Sequence, residues 1–195
     1  MKGIVLCGGQ SLRMGKDKGL LIGSKKITWA QQAFSLLSKL DLEVAFSINT
    51  HQFPTYKRVF FSHKLVPDKK GLTAKGPLTG ILSAHSAFPK EDLVVLACDM
   101  IEMKLEVLMH MYNQYQVHPE YDAYVYKDKF MQEPLCAIYT ARGLKKIADM
   151  HKNNLLEKFS MMYALDQINV MYMPIVPENK KAFLNMNTVS DLQNV

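Results

Sequence analysis

The chain has 195 residues, a formal net charge of +6, 48% hydrophobic and 22% charged residues. That balance belongs to a folded globular protein long enough for one sizeable core, and it excludes a disordered chain. No apolar run reaches the ~20 residues of a membrane-spanning helix, and the apolar stretch after Met1 is too short for a secretory leader. The expected setting is therefore the cytoplasm, with no membrane partner.

Cys7, Cys98 and Cys136 are scattered and form no CxxC pair. His51, His63, His85, His110, His118 and His151 show no metal-ligand spacing. Both patterns argue against a disulfide framework and a transition-metal site. The positive charge suits a polyanionic ligand such as a nucleoside triphosphate. It comes in doublets, among them Lys69-Lys70 and Lys145-Lys146, that read as solvated surface. No nucleic-acid-binding motif accompanies it, so nucleic acid is not an expected partner.

In chain order, residues 2–6 form a short apolar run ending at Gly8-Gly9 and predict a buried strand. A glycine-bearing loop to Gly23 precedes a predicted helix over 28–40, where Trp29, Ala33, Leu37 and Leu40 recur at helical spacing. Strands are predicted at 43–48 and 58–62, then a long polar loop over 63–76. Pro77 opens a predicted helix over 77–87, in the turn where a missing N–H costs least. The continuous apolar run 93–97 predicts a strand buried on both faces. A helix over 105–115, strands at 123–126 and 135–139, helices at 141–151 and 155–164, and a strand at 169–173 follow, before a closing segment at 182–192.

Strands alternating with helices predict right-handed βαβ units and a mostly parallel sheet in one α/β domain over residues 1–195. Ligands of such sheets sit beyond the carboxyl ends of the strands. The glycine loop, Asn49, Asp68 and Asp99 all fall at or just after predicted strand ends. Asp99, following the buried run, also has a competing reading as the N-cap of the next helix. Asn49 competes as a turn former, Asp68 as a loop cap.

The strongest signal is the stretch from Leu6 to Lys18, Leu6-Cys7-Gly8-Gly9-Gln10-Ser11-Leu12-Arg13-Met14-Gly15-Lys16-Asp17-Lys18. Glycines let backbone N–H groups approach phosphate oxygens, and Arg13, Lys16 and Lys18 supply charge. The spacing is neither GxxxxGK[ST] nor GxGxxG, which excludes a regular P-loop and an ordinary dinucleotide fingerprint.

This segment resembles the N-terminal signature of the molybdenum cofactor guanylyltransferases, the MobA-like branch of the nucleotidyltransferases. The resemblance continues in order through Ser47-Ile48-Asn49, Val66-Pro67-Asp68, Gly76-Pro77-Leu78-Thr79-Gly80, Ala97-Cys98-Asp99-Met100, Glu133-Pro134-Leu135 and Phe183-Leu184-Asn185-Met186-Asn187-Thr188. Three positions depart from the family pattern: Cys7 stands for the usual Ala, Leu12 where Arg is common, and Glu133 where some members have His.

The resemblance implies a nucleotide-diphospho-sugar transferase type of fold, a mixed mostly parallel sheet with helices on both faces. It implies transfer of GMP from GTP to the phosphate of molybdopterin, or molybdenum cofactor, with release of pyrophosphate. Leu6, Cys7, Gly8, Gly9, Lys18, Asn49, Asp68 and Asp99 become the expected nucleotide contacts, and Arg13, Lys18, Asp99 and Asn187 the expected catalytic set. Asp99 is the expected ligand of Mg²⁺, a hard cation that prefers oxygen. Asn187, with Thr188 and Asp191, also reads as a helix start. Backbone carbonyls of the first loop or of residues 76–80, with Asn49, are candidate readers of guanine. Transient contact with cofactor-biosynthesis or acceptor enzymes is a further expectation. A cytidylyltransferase on the same pterin, a sugar-phosphate nucleotidyltransferase and a nucleotide-binding protein without turnover remain alternatives.

Overall fold

The structure is a computed structural model and describes residues 1–8, 17–24, 26–129 and 131–186. Seven strands form one sheet: β1 (Lys2–Leu6), β2 (Glu43–Ile48), β3 (Lys64–Pro67), β4 (Leu93–Ala97), β5 (Ala123–Lys127), β6 (Gln132–Tyr139) and β7 (Val170–Pro174). Their order is β3-β2-β1-β4-β6-β5-β7. β1 is parallel to both β2 and β4, β2 to β3 and β5 to β7. β6 alone runs against its neighbours β4 and β5.

Side-chain alternation splits the core into two layers. Val5, Phe46, Leu96 and Tyr124 face α1 (Trp29–Ser38), α2 (Phe53–Val59) and α4 (Leu105–Val117). Ile4, Ala45, Val95 and Val125 face α3 (Pro77–Ala87), α5 (Ala141–Lys152) and α6 (Met161–Leu165). All five residues of β4 are buried. No helix among the described residues is long and apolar enough to cross a membrane.

The structure corrects the expected strand at 58–62. Those residues close α2 and turn, and the strand is β3. The short run Val59-Phe60-Phe61 is ambiguous between the two periods. Tyr56 and Phe60, one helical turn apart, are 0% and 1% exposed, whereas Phe61 is 85% exposed. Pro54, in the first turn of α2, is the helix signal that the apolar run obscures. β3 then lies inside the expected polar loop. It is a four-residue edge strand ending in Pro67, where a missing N–H costs no ladder bond.

The helix expected at 155–164 is also shorter. Asn154 adopts a left-handed φ of 56° after α5, and α6 starts only where the Ser160 hydroxyl accepts the Tyr163 N–H at 3.2 Å. A 3₁₀ turn covers Pro177–Phe183; of the closing segment expected at 182–192, residues 187–192 lie outside the described residues.

One buried charge ties β5 to α5. Asp122 is 1% exposed and accepts from Arg142 Nε at 2.8 Å, Lys146 Nζ at 2.6 Å and the Asn169 N–H at 3.1 Å. Burial pushes its pKa up, but those hydrogen bonds more than offset it and hold the carboxyl below its ordinary value. A depressed folded-state pKa gives stability that is present above the unfolded value and is lost as pH falls through the folded one. Asp122→Asn is therefore expected to cost about 1–3 kcal/mol at pH 7, with the gap to wild type closing toward pH 3. Urea denaturation of both proteins at the two pH values checks this. A gap that persists unchanged at pH 3 would show that the charge is not what stabilises.

Candidate active site

β1 and β4 pair in register, Leu6 with Ala97. Each strand then releases its chain at the same edge of the sheet, through Cys7 to Gly8 and through Cys98 to Asp99. Both thiols are buried. The contact with Cys7 and burial push the Cys98 thiol well above its ordinary pKa, so Cys98 packs beneath the edge rather than serving as a nucleophile.

The backbone here is more committed than the motif suggests. The N–H groups of Cys7 and Gly8 both donate to the Ser47 carbonyl, at 2.9 and 3.2 Å. The Leu6 carbonyl accepts from the Cys98 N–H at 3.1 Å, and the Cys7 carbonyl from Gln52 Nε2 at 3.0 Å. The N–H groups of Cys7 and Gly8 thus serve the sheet. What remains for a ligand at these residues is carbonyl lone pairs, of which each oxygen has two.

Lys18 is held from below. Asp17 caps the 3₁₀ turn Lys18–Leu20, accepting the Gly19 N–H at 3.0 Å. Asp17 also accepts from Gln52 Nε2 at 2.7 Å and from Tyr56 Oη at 3.0 Å. Burial above all, together with the neighbouring Cys7 and Asp17, pushes the Tyr56 phenol far above its ordinary pKa, so it remains a donor. A Cβ on Gly19 would lie 2.1 Å from Tyr56 Oη, which is why the close approach needs glycine. Anchored in this way, Lys18 places Nζ 2.8 Å from Asp99 Oδ2, with both side chains 18% exposed. Residues 81 apart in sequence form the charged centre of the edge.

Asp99 is not a helix cap. It lies in the turn after β4, and the N-cap of α4 is Lys104. Its carbonyl accepts the Met186 N–H at 3.2 Å, which brings the segment 184–186 back against it. Asn49 does form a turn: its Oδ1 accepts the Gln52 N–H at 3.0 Å and its own N–H donates to Gln52 Oε1 at 2.8 Å. That reciprocal cap occupies the amide oxygen and leaves the Nδ2 donors. Asp68 follows β3 and donates its N–H to the Ile48 carbonyl at 2.8 Å. Its half-buried carboxylate has no hydrogen-bond partner among the described residues, and burial pushes its pKa up.

Glu133 lies at the start of β6. That strand pairs Cys136 with Leu96 and so runs past the end of β4 on the Asp99 side. Burial, then the charge of Asp128, pushes its pKa up to about 7. Gly9, Arg13 and Asn187 lie outside the described residues.

Leu6, Cys7, Gly8, Lys18, Asn49, Asp68 and Asp99 therefore share one edge. Sequence reasoning assigned no role to Asp17, Gln52 or Tyr56. Gln52 and Tyr56 belong to α2 and its entry turn, whose sequence signals are Pro54 and the Asn49–Gln52 capping spacing. Among the described residues no group of three or more His, Cys, Asp or Glu side chains gathers to hold a metal. Asp99 alone still suits a magnesium-like cation, which takes one or two carboxylates and completes its shell with water and substrate phosphate.

A family model of the MobA-like NTP transferase domain matches residues 3–167. The chain belongs to the MobA-like NTP transferase family. This MobA-like chain is 30% identical over 194 residues to a Bacillus cereus protein named "probable molybdenum cofactor guanylyltransferase", covering 95% of this chain and 90% of that one. A Bacillus mycoides protein of the same name is 29% identical over 188 residues, covering 95% and 90%. The solved structure of molybdopterin-guanine dinucleotide biosynthesis protein A from Archaeoglobus fulgidus superposes with a TM-score of 0.79 at 24% identity, covering 100% of this chain and 96% of that one. The MobA-like fold is accordingly the nucleotide-diphospho-sugar transferase type, a mixed mostly parallel sheet with helices on both faces.

Proposed function

We propose that this protein transfers GMP from GTP to the phosphate of molybdopterin, or of the molybdenum cofactor, with release of pyrophosphate. The observation that carries the reading is the Lys18–Asp99 pair, at 2.8 Å, on the carboxyl edge of β1 and β4 in a MobA-like chain. The names of its relatives supply the choice of base and acceptor. A reaction that consumes GTP also suits the cytoplasm.

The acceptor phosphate oxygen attacks the α-phosphorus, and the bond from that phosphorus to the bridging oxygen breaks as pyrophosphate leaves. An ionised phosphate is already a nucleophile, so the protein's work is positioning and charge stabilisation. Lys18, with its backbone set by the Asp17, Gln52 and Tyr56 network, presents an ammonium to the triphosphate and the leaving group. Asp99 would hold Mg²⁺ together with phosphate oxygens; the bound ion would draw charge from the α-phosphate and the leaving pyrophosphate. Arg13 and Asn187 are assigned to the same step through the family motif. Gly9 is assigned to nucleotide binding through the same motif.

Guanine offers a ring N–H and an exocyclic amine on one edge. The carbonyls of Leu6, Cys7 and Gly8 and the Asp68 carboxylate, without a hydrogen-bond partner among the described residues, are acceptors at this edge, and Asn49 Nδ2 is a donor for the base carbonyl. Cytosine would set acceptors against acceptors, and each unpaired buried group costs about 1–3 kcal/mol. Pyrophosphate release with molybdopterin as acceptor, with unlabelled CTP competing against GTP, tests the proposal. GTP is expected to support release, and CTP to compete at least about tenfold more weakly. Equal competition by CTP would move the protein to cytidylyl transfer. No release with either nucleotide would leave a binding protein.

A further inference from the structure

A cavity of about 580 Å³, whose lining does not include Lys18 or Asp99, lies between α3, α5 and the loop after β3. Its volume is that of a small-molecule site. Lys69, Lys70 and Lys152 line it, and none of the three forms an ion pair among the described residues. Among the described residues Lys69 Nζ donates to the Ser86 hydroxyl, at 2.7 Å. The carboxylate on the wall, Asp149, is already paired with Lys145 at 2.5 Å. The cavity thus carries a positive charge that the fold leaves uncompensated.

A buried group points the same way. His85, on the α3 wall, is 8% exposed and has no hydrogen-bond partner among the described residues. Its Nδ1 is sealed from solvent, which leaves Nε2 as the ring atom through which it can bond. His151 stands across the cavity, its Nε2 3.1 Å from Thr73 Oγ1. Leu72, Leu82 and Pro89 supply an apolar part of the wall.

We propose that this cavity binds a small phosphomonoester with an apolar body, its phosphate held by Lys69, Lys152 and His85. Three lysines among the lining residues, against one carboxylate already paired with Lys145, suit a dianion better than a singly charged carboxylate, because each phosphate oxygen can take a charge-assisted hydrogen bond. The apolar wall suits the body that carries it. The site adjoins the nucleotide edge through Asp68-Lys69, but none of Lys18, Asn49, Asp68 or Asp99 lines it. It stands independently of the guanylyl-transfer reading.

Phenyl phosphate is the probe, with the histidine ring signals of the full chain followed by NMR. Saturable shifts are expected at His85 and His151 and none at the half-exposed His118, which follows α4 on the other face of the sheet. The exposed double variant Lys69→Ala/Lys152→Ala is expected to weaken binding by about tenfold or more. Inorganic phosphate should bind the same residues more weakly, for want of the apolar body, and saturating GTP should leave the phenyl phosphate shifts in place. Benzyl alcohol binding as tightly as phenyl phosphate would overturn the proposal by showing an apolar cavity only. Tighter binding of benzoate would overturn the choice of phosphate. Loss of the shifts on adding GTP would place the probe in the nucleotide site instead.

Discussion

Asp99→Asn is expected to slow pyrophosphate release by about 10²–10³-fold while the protein remains folded. The amide keeps the size of the side chain and one oxygen, but it removes the charge that would pair with Lys18 at 2.8 Å and hold the divalent ion. Folding should survive. Asp99 caps no helix, and its tie to Met186 runs through the backbone carbonyl, which the substitution leaves intact. A steady-state assay over a range of Mg²⁺ concentrations checks the result. High Mg²⁺ should restore part of the rate if weakened metal binding is the cause. A variant that turns over near the wild-type rate at low Mg²⁺ would refute the assignment of Asp99 to the metal.

Lys18→Ala is expected to raise the nucleotide dissociation constant and lower kcat together, with kcat/KM falling by about 10–10²-fold. One hydrogen bond to a charged group, worth about 1.5–3 kcal/mol, sets that size. An ammonium touching the triphosphate in both the ground and the transition state should affect binding and turnover jointly. Nucleotide titration and single-turnover kinetics separate the two. Wild-type affinity and rate in Lys18→Ala would reduce the residue to an idle surface charge. Unaltered affinity with a lower rate would confine its contact to the transition state.

Much of the architecture was legible because local and global signals agreed. The continuous run at β4 predicted burial on both faces, and all five residues are buried. Thr28 and Gln31 form the capping box that starts α1, beside the expected apolar spacing. The failures were local ambiguities that packing resolved. Phe60 and Phe61 are adjacent in sequence and chemically identical, yet one is buried and the other exposed, because the turn that leaves α2 points only Phe60 into the core. No composition rule separates them.

The candidate site divides along the same line. The glycine motif, Asn49, Asp68 and Asp99 are visible as polar residues at strand ends because a parallel sheet sends its carboxyl ends to one edge. Their ordered recurrence along the chain is what carries the family resemblance. Sequence alone could not decide which hydrogen-bonding groups the fold consumes. The Cys7 and Gly8 N–H groups go to Ser47, and the Asn49 amide oxygen goes to Gln52. Nor could it pair Lys18 with Asp99, or set Tyr56 beneath Asp17, since those partners meet only when β1, α2 and β4 pack together. Periodicity and turn chemistry act over a few residues and are written in order along the chain. Hydrogen-bond partnership and charge pairing between distant segments depend on distances that exist only after the sheet has formed.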